Sequence, residues 1–196
     1  MVALESLSVE DRREKSALIF VVPEVVSLID GFRRQYTADG ASVPPHFTLM
    51  FPFLAPAEVT PGVLERIGDV TAAVPGFDFT LSRVDRFLSS VMFLAPDQPG
   101  PFIDLIERFR KAFPEVSPYW DKLDTIVPHI TIADEALVDS AERLDDIGRT
   151  VSARLPIRCV AREVVLLQQV RPSPATWDAQ GRFPLAPIPA IGGTGS

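Results

Sequence analysis

Cysteine is nearly absent from this 196-residue chain, which carries one, and histidine occurs only twice. A single cysteine cannot close an internal disulfide. Cys159 falls in the strand-like run Leu155 to Val160, with no histidine near it in sequence, and is expected to be a buried, unreactive thiol. With two histidines and no cysteine cluster, a metal site would have to be completed by Asp or Glu, so neither a metal nor another cofactor is expected. Long apolar runs are missing too. Ser16 to Pro23 and Val160 to Val170 are too short or too interrupted to span a bilayer, and the charged first residues do not read as a signal peptide. These absences point to a cytoplasmic protein without a membrane partner. There is no glycine-rich phosphate loop and no G-x-S-x-G, which argues against a nucleoside triphosphate substrate and against a Ser/His/Asp hydrolase. Basic residues are outnumbered, 19 against 26 acidic, for a formal charge of −7. Binding along a long polyanion needs a basic face, so long nucleic acid is not an expected partner, whereas one nucleotide or a strand end is compatible.

What is present is one short stretch written twice. Pro45-His46-Phe47-Thr48-Leu49 recurs as Pro128-His129-Ile130-Thr131-Ile132, and the copies hold both histidines of the chain. The alternation is that of half-buried strands. It puts His46, Thr48 and Met50 on one face, with Phe47, Leu49 and Phe51 on the other beside their counterparts Ile130 and Ile132. Proline before each histidine suits the start of a strand, where a missing N–H costs little.

The surrounding pattern repeats as well. Residues 1–15 read as a loose lead-in. Ala17 to Pro23 reads as a buried strand, Val25, Ile29, Phe32 and Tyr36 as a helix stripe, and a loop with Gly40 and Pro44 leads to the first motif. Thr60-Pro61 caps a helix striped by Leu64, Ile67, Val70 and Val74, and Phe77 to Phe87 reads as a strand. The second half follows the same order: strand Val91 to Pro96, a helix on Phe102, Leu105, Ile106, Phe109 and Phe113, and the second motif. A helix on Leu137, Ala141, Leu144, Ile147 and Val151 and one extended segment from Ile157 to Val170 complete it. Trp177, Arg182, Phe183 and Leu185 could add a closing strand, and residues 186–196 read as a flexible tail. The expected organisation is a single bilobed domain over 16–185, with lobes at 16–88 and 89–185 that could exchange strands. Two similar lobes facing each other would bring the His/Thr strands together across a cleft.

Paired histidines suit general acid–base work. One neutral ring takes a proton from a nucleophile while one charged ring gives a proton to a leaving group, each role worth about 10² to 10⁴ in rate. A threonine two residues on, roughly 7 Å along the strand, offers a hydroxyl on the same face. Two such hydroxyls could hold the non-bridging oxygens of a phosphate.

The paired His-Phe-Thr-Leu and His-Ile-Thr-Ile, one in each half, resemble the 2H phosphoesterase superfamily. The longer stretches Pro45 to Phe53 and Val127 to Ile132 are most similar to its 2′,5′ RNA ligase-like and cyclic phosphodiesterase branch. The resemblance runs from about Ala17 to Leu185. It implies a bilobed α+β fold, with two antiparallel sheets forming a central cleft and helices packed outside. It also implies metal-independent opening of a 2′,3′-cyclic, or related cyclic or 2′,5′-linked, phosphoester, reversible as ligation. His46 and His129 would be the acid–base pair, without an assignment of which is which, and Thr48 and Thr131 the phosphate clamps. Some members carry a basic residue shortly after the second motif. Here Ala133-Asp134-Glu135 follows, which suggests a small nucleotide or a short RNA end as substrate; separately, a monomer is the expected working form. Beyond the motifs, Tyr119 and Trp120 could stack a base and Arg171 could reach a phosphate. The alternative is a binding module for RNA ends or small phosphorylated ligands that has lost turnover.

Overall fold

The computed structural model describes residues 15–87, 91–118, 125–172 and 175–188. The elements in chain order are β1 (Ser16–Val21), α1 (Val26–Tyr36), β2 (His46–Met50), α2 (Pro61–Ala72), β3 (Phe77–Arg86) and β4 (Val91–Pro96). They are followed by α3 (Gly100–Ala112), β5 (Ile130–Asp134), α4 (Ala141–Ser152), β6 (Ile157–Ala161), β7 (Glu163–Pro172) and β8 (Ala175–Pro184). The strands form two four-stranded antiparallel sheets, ordered β2-β1-β7-β8 and β5-β4-β3-β6. This is the α+β architecture that the family resemblance implies. Each sheet takes strands from both halves of the chain: β3 sits between β4 and β6, and β7 between β1 and β8.

The helices are placed by their apolar stripes. On α1, Ile29, Arg33 and Tyr36 are buried, and the helix packs against β5 of the opposite half. On α3, Phe102, Leu105, Ile106 and Phe109 are buried, and the helix packs against β2. Thr60 caps α2 by accepting from the Val63 N–H, and Ser140 caps α4 by accepting from the Arg143 N–H. Behind the first motif, Phe47 packs on Phe102 with ring centroids 4.2 Å apart, and Phe20 and Phe79 close the cluster edge-on. Aromatic pairs prefer such offset and T-shaped contacts.

Three sequence expectations change. Leu137 is not on the fourth helix: it ends a short 3-10 turn, Glu135–Leu137, and is 46% exposed. The extended segment from Ile157 to Val170 is two strands in different sheets, β6 on β3 and β7 on β1, parted at Arg162. No break showed in the sequence because Val164, Val165, Leu166 and Leu167 are all buried. Val164 and Leu166 face the main core, and Val165 and Leu167 a second apolar cluster, so periodicity disappears.

The third change concerns the motifs. In β2, Thr48 lies opposite Ile19 but Met50 lies opposite Leu18, so Leu49 is an extra residue. In β5, Thr131 lies opposite Phe93 but Ala133 lies opposite Met92, so Ile132 is extra in the same way. A β-bulge therefore follows each threonine, and it resets the alternation. Met50 turns into the core rather than sharing the His46 face, and Phe51 comes round to that face instead.

Candidate active site

The two motifs meet on one cavity of about 360 Å³, walled by His46 and Thr48 from β2, Thr131 from β5 and His129 just before it, and Ala17 and Ile19 from β1. Leu167, Trp177 and Phe51 line the apolar side; Arg33 and Asp39 line the charged side. Such a volume is within the range of small-ligand sites.

Both histidines are held the same way. The ring of His46 is 2.7 Å from the Pro44 carbonyl oxygen through Nδ1, and that of His129 is 2.8 Å from the Val127 carbonyl oxygen through Nδ1. A carbonyl only accepts, so each Nδ1 carries the proton and donates it. Nε2 is left to exchange protons with the cavity. A backbone acceptor two residues upstream needs only the bend that starts each strand, so it comes with the local motif.

Their surroundings differ. His46 is pushed down to about 4, first by burial and next by the Arg33 guanidinium, against the opposing pull of the Pro44 carbonyl and Asp39. His129 is lowered by burial, with the Val127 carbonyl pulling the other way. Its ring lies edge-on to Phe87 at 4.9 Å and against Phe93 at 5.4 Å. Both rings are therefore neutral near pH 7 in the free protein, and a bound phosphate anion favours the protonated form of either.

Arg33 is a site residue that the motif did not reveal. It is 1% exposed; its Nη1 donates to the Thr131 carbonyl at 2.7 Å and its Nη2 to the Val43 carbonyl at 3.2 Å. Its Nε is buried with no hydrogen-bond partner, which costs about 1–3 kcal/mol. Asp39 stands 3.9 Å from Nη2. The loop that carries Asp39 folds back over the end of α1, where Thr37 donates to the Arg33 carbonyl through its backbone N–H and its hydroxyl. A Cβ at Gly40 would lie 2.1 Å from that carbonyl oxygen, so glycine is required for the close approach. The signal available in the sequence was spacing: Arg33 sits four residues after Ile29 and three before Tyr36, on the core stripe of α1. Asp39 offered no such signal, because loop folding places it. Trp177 enters from β8, with its ring at 5.9 Å from Phe51.

The remaining candidates fare differently. Arg171 is exposed, opposite Thr176 near the β7-β8 turn, and is not part of the cavity wall. Tyr119 and Trp120 lie outside the described residues. Asp134, after the second motif, accepts from the Ala136 N–H and caps the turn that follows. Cys159 is buried, and burial pushes its thiol up to about 12, as an unreactive thiol requires. Among the described residues no group of three or more His, Cys, Asp or Glu could hold a metal ion, and no helix is long and apolar enough to cross a membrane.

Comparison with known proteins places this geometry. A presumed phosphoesterase of Halalkalibacterium halodurans is 24% identical over 155 residues, 78% of this chain and 86% of its own. The crystal structure of TT0787 of Thermus thermophilus superposes with a TM-score of 0.62 at 20% identity, covering 88% of this chain and 98% of that one. E. coli LigT, solved with 3′-AMP, gives 0.55 at 20% identity over 89% and 99%. The family model described as the 2′-5′ RNA ligase superfamily matches residues 21–172, from the end of β1 through both His/Thr strands to the end of β7. With both motifs and the two-sheet fold in place, the chain belongs to that superfamily of 2H phosphoesterases.

Proposed function

We propose that the chain is a metal-independent phosphoesterase that opens 2′,3′-cyclic, or related cyclic or 2′,5′-linked, nucleotide phosphoesters. The observation that carries this reading is the convergence of His46, Thr48, His129 and Thr131 on one cavity, each ring anchored through Nδ1. The anionic phosphoryl group sits between the two motifs, its non-bridging oxygens accepting from the Thr48 and Thr131 hydroxyls. One ring, neutral, takes a proton from water through Nε2 as the water oxygen bonds to phosphorus. The P–O bond to the 2′ or 3′ oxygen breaks, and the other ring, protonated once the anion is bound, gives its proton to that oxygen. The product is a ribose phosphomonoester. With a 5′-hydroxyl in place of water, the same ring takes its proton, the P–O bond to the 3′ oxygen breaks, and a 2′,5′ phosphodiester forms, which is the ligating reaction. The two rings exchange roles when that diester is cleaved back to the cyclic phosphate and the free hydroxyl.

The cavity suits one nucleotide, and the charge of −7 opposes a long polyanion, so a small nucleotide or an RNA end is the substrate that fits. The binding of 3′-AMP by LigT, a protein of the same fold, supports a nucleotide ligand. The test is hydrolysis of the four 2′,3′-cyclic nucleotides in EDTA, with wild type beside His46→Ala and His129→Ala. Turnover that survives EDTA and collapses in both variants is the expected result. Saturable nucleotide binding without turnover of any of the four would replace the enzyme with a binding module for phosphorylated ligands.

A further inference from the structure

The positive charge at the cavity comes from helix α1, not from either motif. Arg33 sits on the core face of that helix, where a charge is costly unless it is hydrogen-bonded, and two of its three nitrogens are. Its Nη1 reaches the carbonyl of Thr131, 98 residues away in the chain, at 2.7 Å. That carbonyl lies between the threonine and the bulge residue Ile132, where the second motif departs from regular pairing. Nη2 reaches Val43 in the loop that precedes the first motif. The same guanidinium therefore touches the backbone leading into one histidine strand and the backbone of the other. Helix α3, which packs on β2 as α1 packs on β5, buries only apolar residues at Phe102, Leu105, Ile106 and Phe109. Packing alone does not demand an arginine at this place in the fold.

We propose, building on the phosphoesterase reading above, that Arg33 is the positioning residue of the site. Its guanidinium sets the Thr131 strand in register with the His46 strand and presents fixed positive charge through the cavity wall to the anionic phosphoryl group. No cation stands in Ala133-Asp134-Glu135 after the second motif, and Arg33 brings one to the cavity wall from α1. The groups that face His46 agree with this placement. Arg33 opposes its protonation, Asp39 favours it, and His129 adds a small opposing effect. Asp39 partly balances the guanidinium but lies at the rim with its side chain 38% exposed, where solvent screens it more strongly than the buried arginine. A guanidinium that merely tied α1 to β5 would leave the titration of His46 and the affinity for phosphate unchanged when replaced by a folded substitute.

The test uses the two-histidine composition of the chain, which confines the ring Cε1–H region of the NMR spectrum to two signals, assigned with His46→Gln and His129→Gln. Wild type, Arg33→Met and Arg33→Lys are titrated with pH, with and without inorganic phosphate as the anion probe, and assayed on the cyclic nucleotide turned over fastest. In Arg33→Met the His46 midpoint is expected to rise toward the ordinary imidazole value while that of His129 stays, and phosphate affinity to fall about tenfold, the equivalent of one charge-assisted contact. Arg33→Lys keeps the charge but not the fork, so His46 titrates nearly as in wild type while kcat falls about tenfold with KM little changed. Should Arg33→Met not fold, Arg33→Gln, which keeps a donor without the charge, enters the same titration and phosphate measurements. An unmoved His46 midpoint with unmoved phosphate affinity in the neutral variant, or a wild-type kcat in Arg33→Lys, overturns the proposal. If the wild type turns over no cyclic nucleotide, the phosphoesterase reading fails by itself, and the titration and phosphate binding still decide the role of Arg33.

Discussion

The two His/Thr strands have the same backbone and different neighbours. Each has a buried proline before its histidine, an imidazole Nδ1 bonded to a carbonyl two residues back, a half-buried threonine, and a bulge one residue after it. Around His46 stand Arg33 and Asp39; around His129 stand the rings of Phe87 and Phe93. Duplication thus supplies paired proton carriers and paired hydroxyls, while the packing of distant segments makes the two rings unlike. Burial lowers both rings. At the first, the fixed charges of Arg33 and Asp39 act besides, and at the second, aromatic rings pack against the imidazole, so the two are not interchangeable even though their motifs are.

The sharpest way to break the comparison is to remove each ring in turn. His46→Ala and His129→Ala should each lower kcat/KM about 10²- to 10⁴-fold. If one loss were trivial, the site would run on a single histidine and the symmetry would have no functional meaning. Next in size are the hydroxyls. Thr48→Val and Thr131→Val should each cost about tenfold to a hundredfold in kcat/KM, from about 1.5–3 kcal/mol per hydrogen bond to a charged group. Equal losses would make the two clamps equivalent, and unequal ones would carry the asymmetry of the rings over to the phosphate oxygens.

The pH response separates the two surroundings more finely. His46 binds its proton in the folded chain only near pH 4, well below its ordinary value, so between the two the unfolded chain binds more protons than the folded one. Stability is therefore greatest above the ordinary imidazole value and falls as pH drops toward about 4. A melting-temperature series against pH should show this fall, and His46→Gln should flatten it more than His129→Gln does. The smallest expected effect is at the aromatic side. Phe87→Leu removes a ring edge from His129 and should lower kcat about twofold to tenfold, from the roughly 0.5–1.5 kcal/mol of such a contact. The His129 ring signal should shift while that of His46 stays in place.

How much of this was legible can be argued residue by residue. The repeated five-residue stretch led to the right pair of strands because a strand's period is two, and His46 and Thr48, like His129 and Thr131, fall on one face by that period alone. The bulges were hidden, since an inserted residue changes pairing without changing composition. Met50 and Phe51 were consequently expected on the wrong faces. The split between β6 and β7 was hidden because a central strand buried on both sides loses its alternation. Arg33 left a trace in the spacing of α1, but the partners that give it meaning, Thr131 and Val43, lie in segments that only folding brings near.

The sequence by itself determined the duplicated order of elements, the two proton carriers and the two hydroxyls, because these follow from local periodicity and from the chemistry of the side chains. The tertiary structure alone decided which sheet each strand joins, and that a guanidinium from helix α1 shares the cavity wall with one histidine while aromatic rings flank the other. Burial and Coulomb interactions depend on distance in space, and Arg33 and Thr131 are 98 residues apart along the chain yet 2.7 Å apart in the fold.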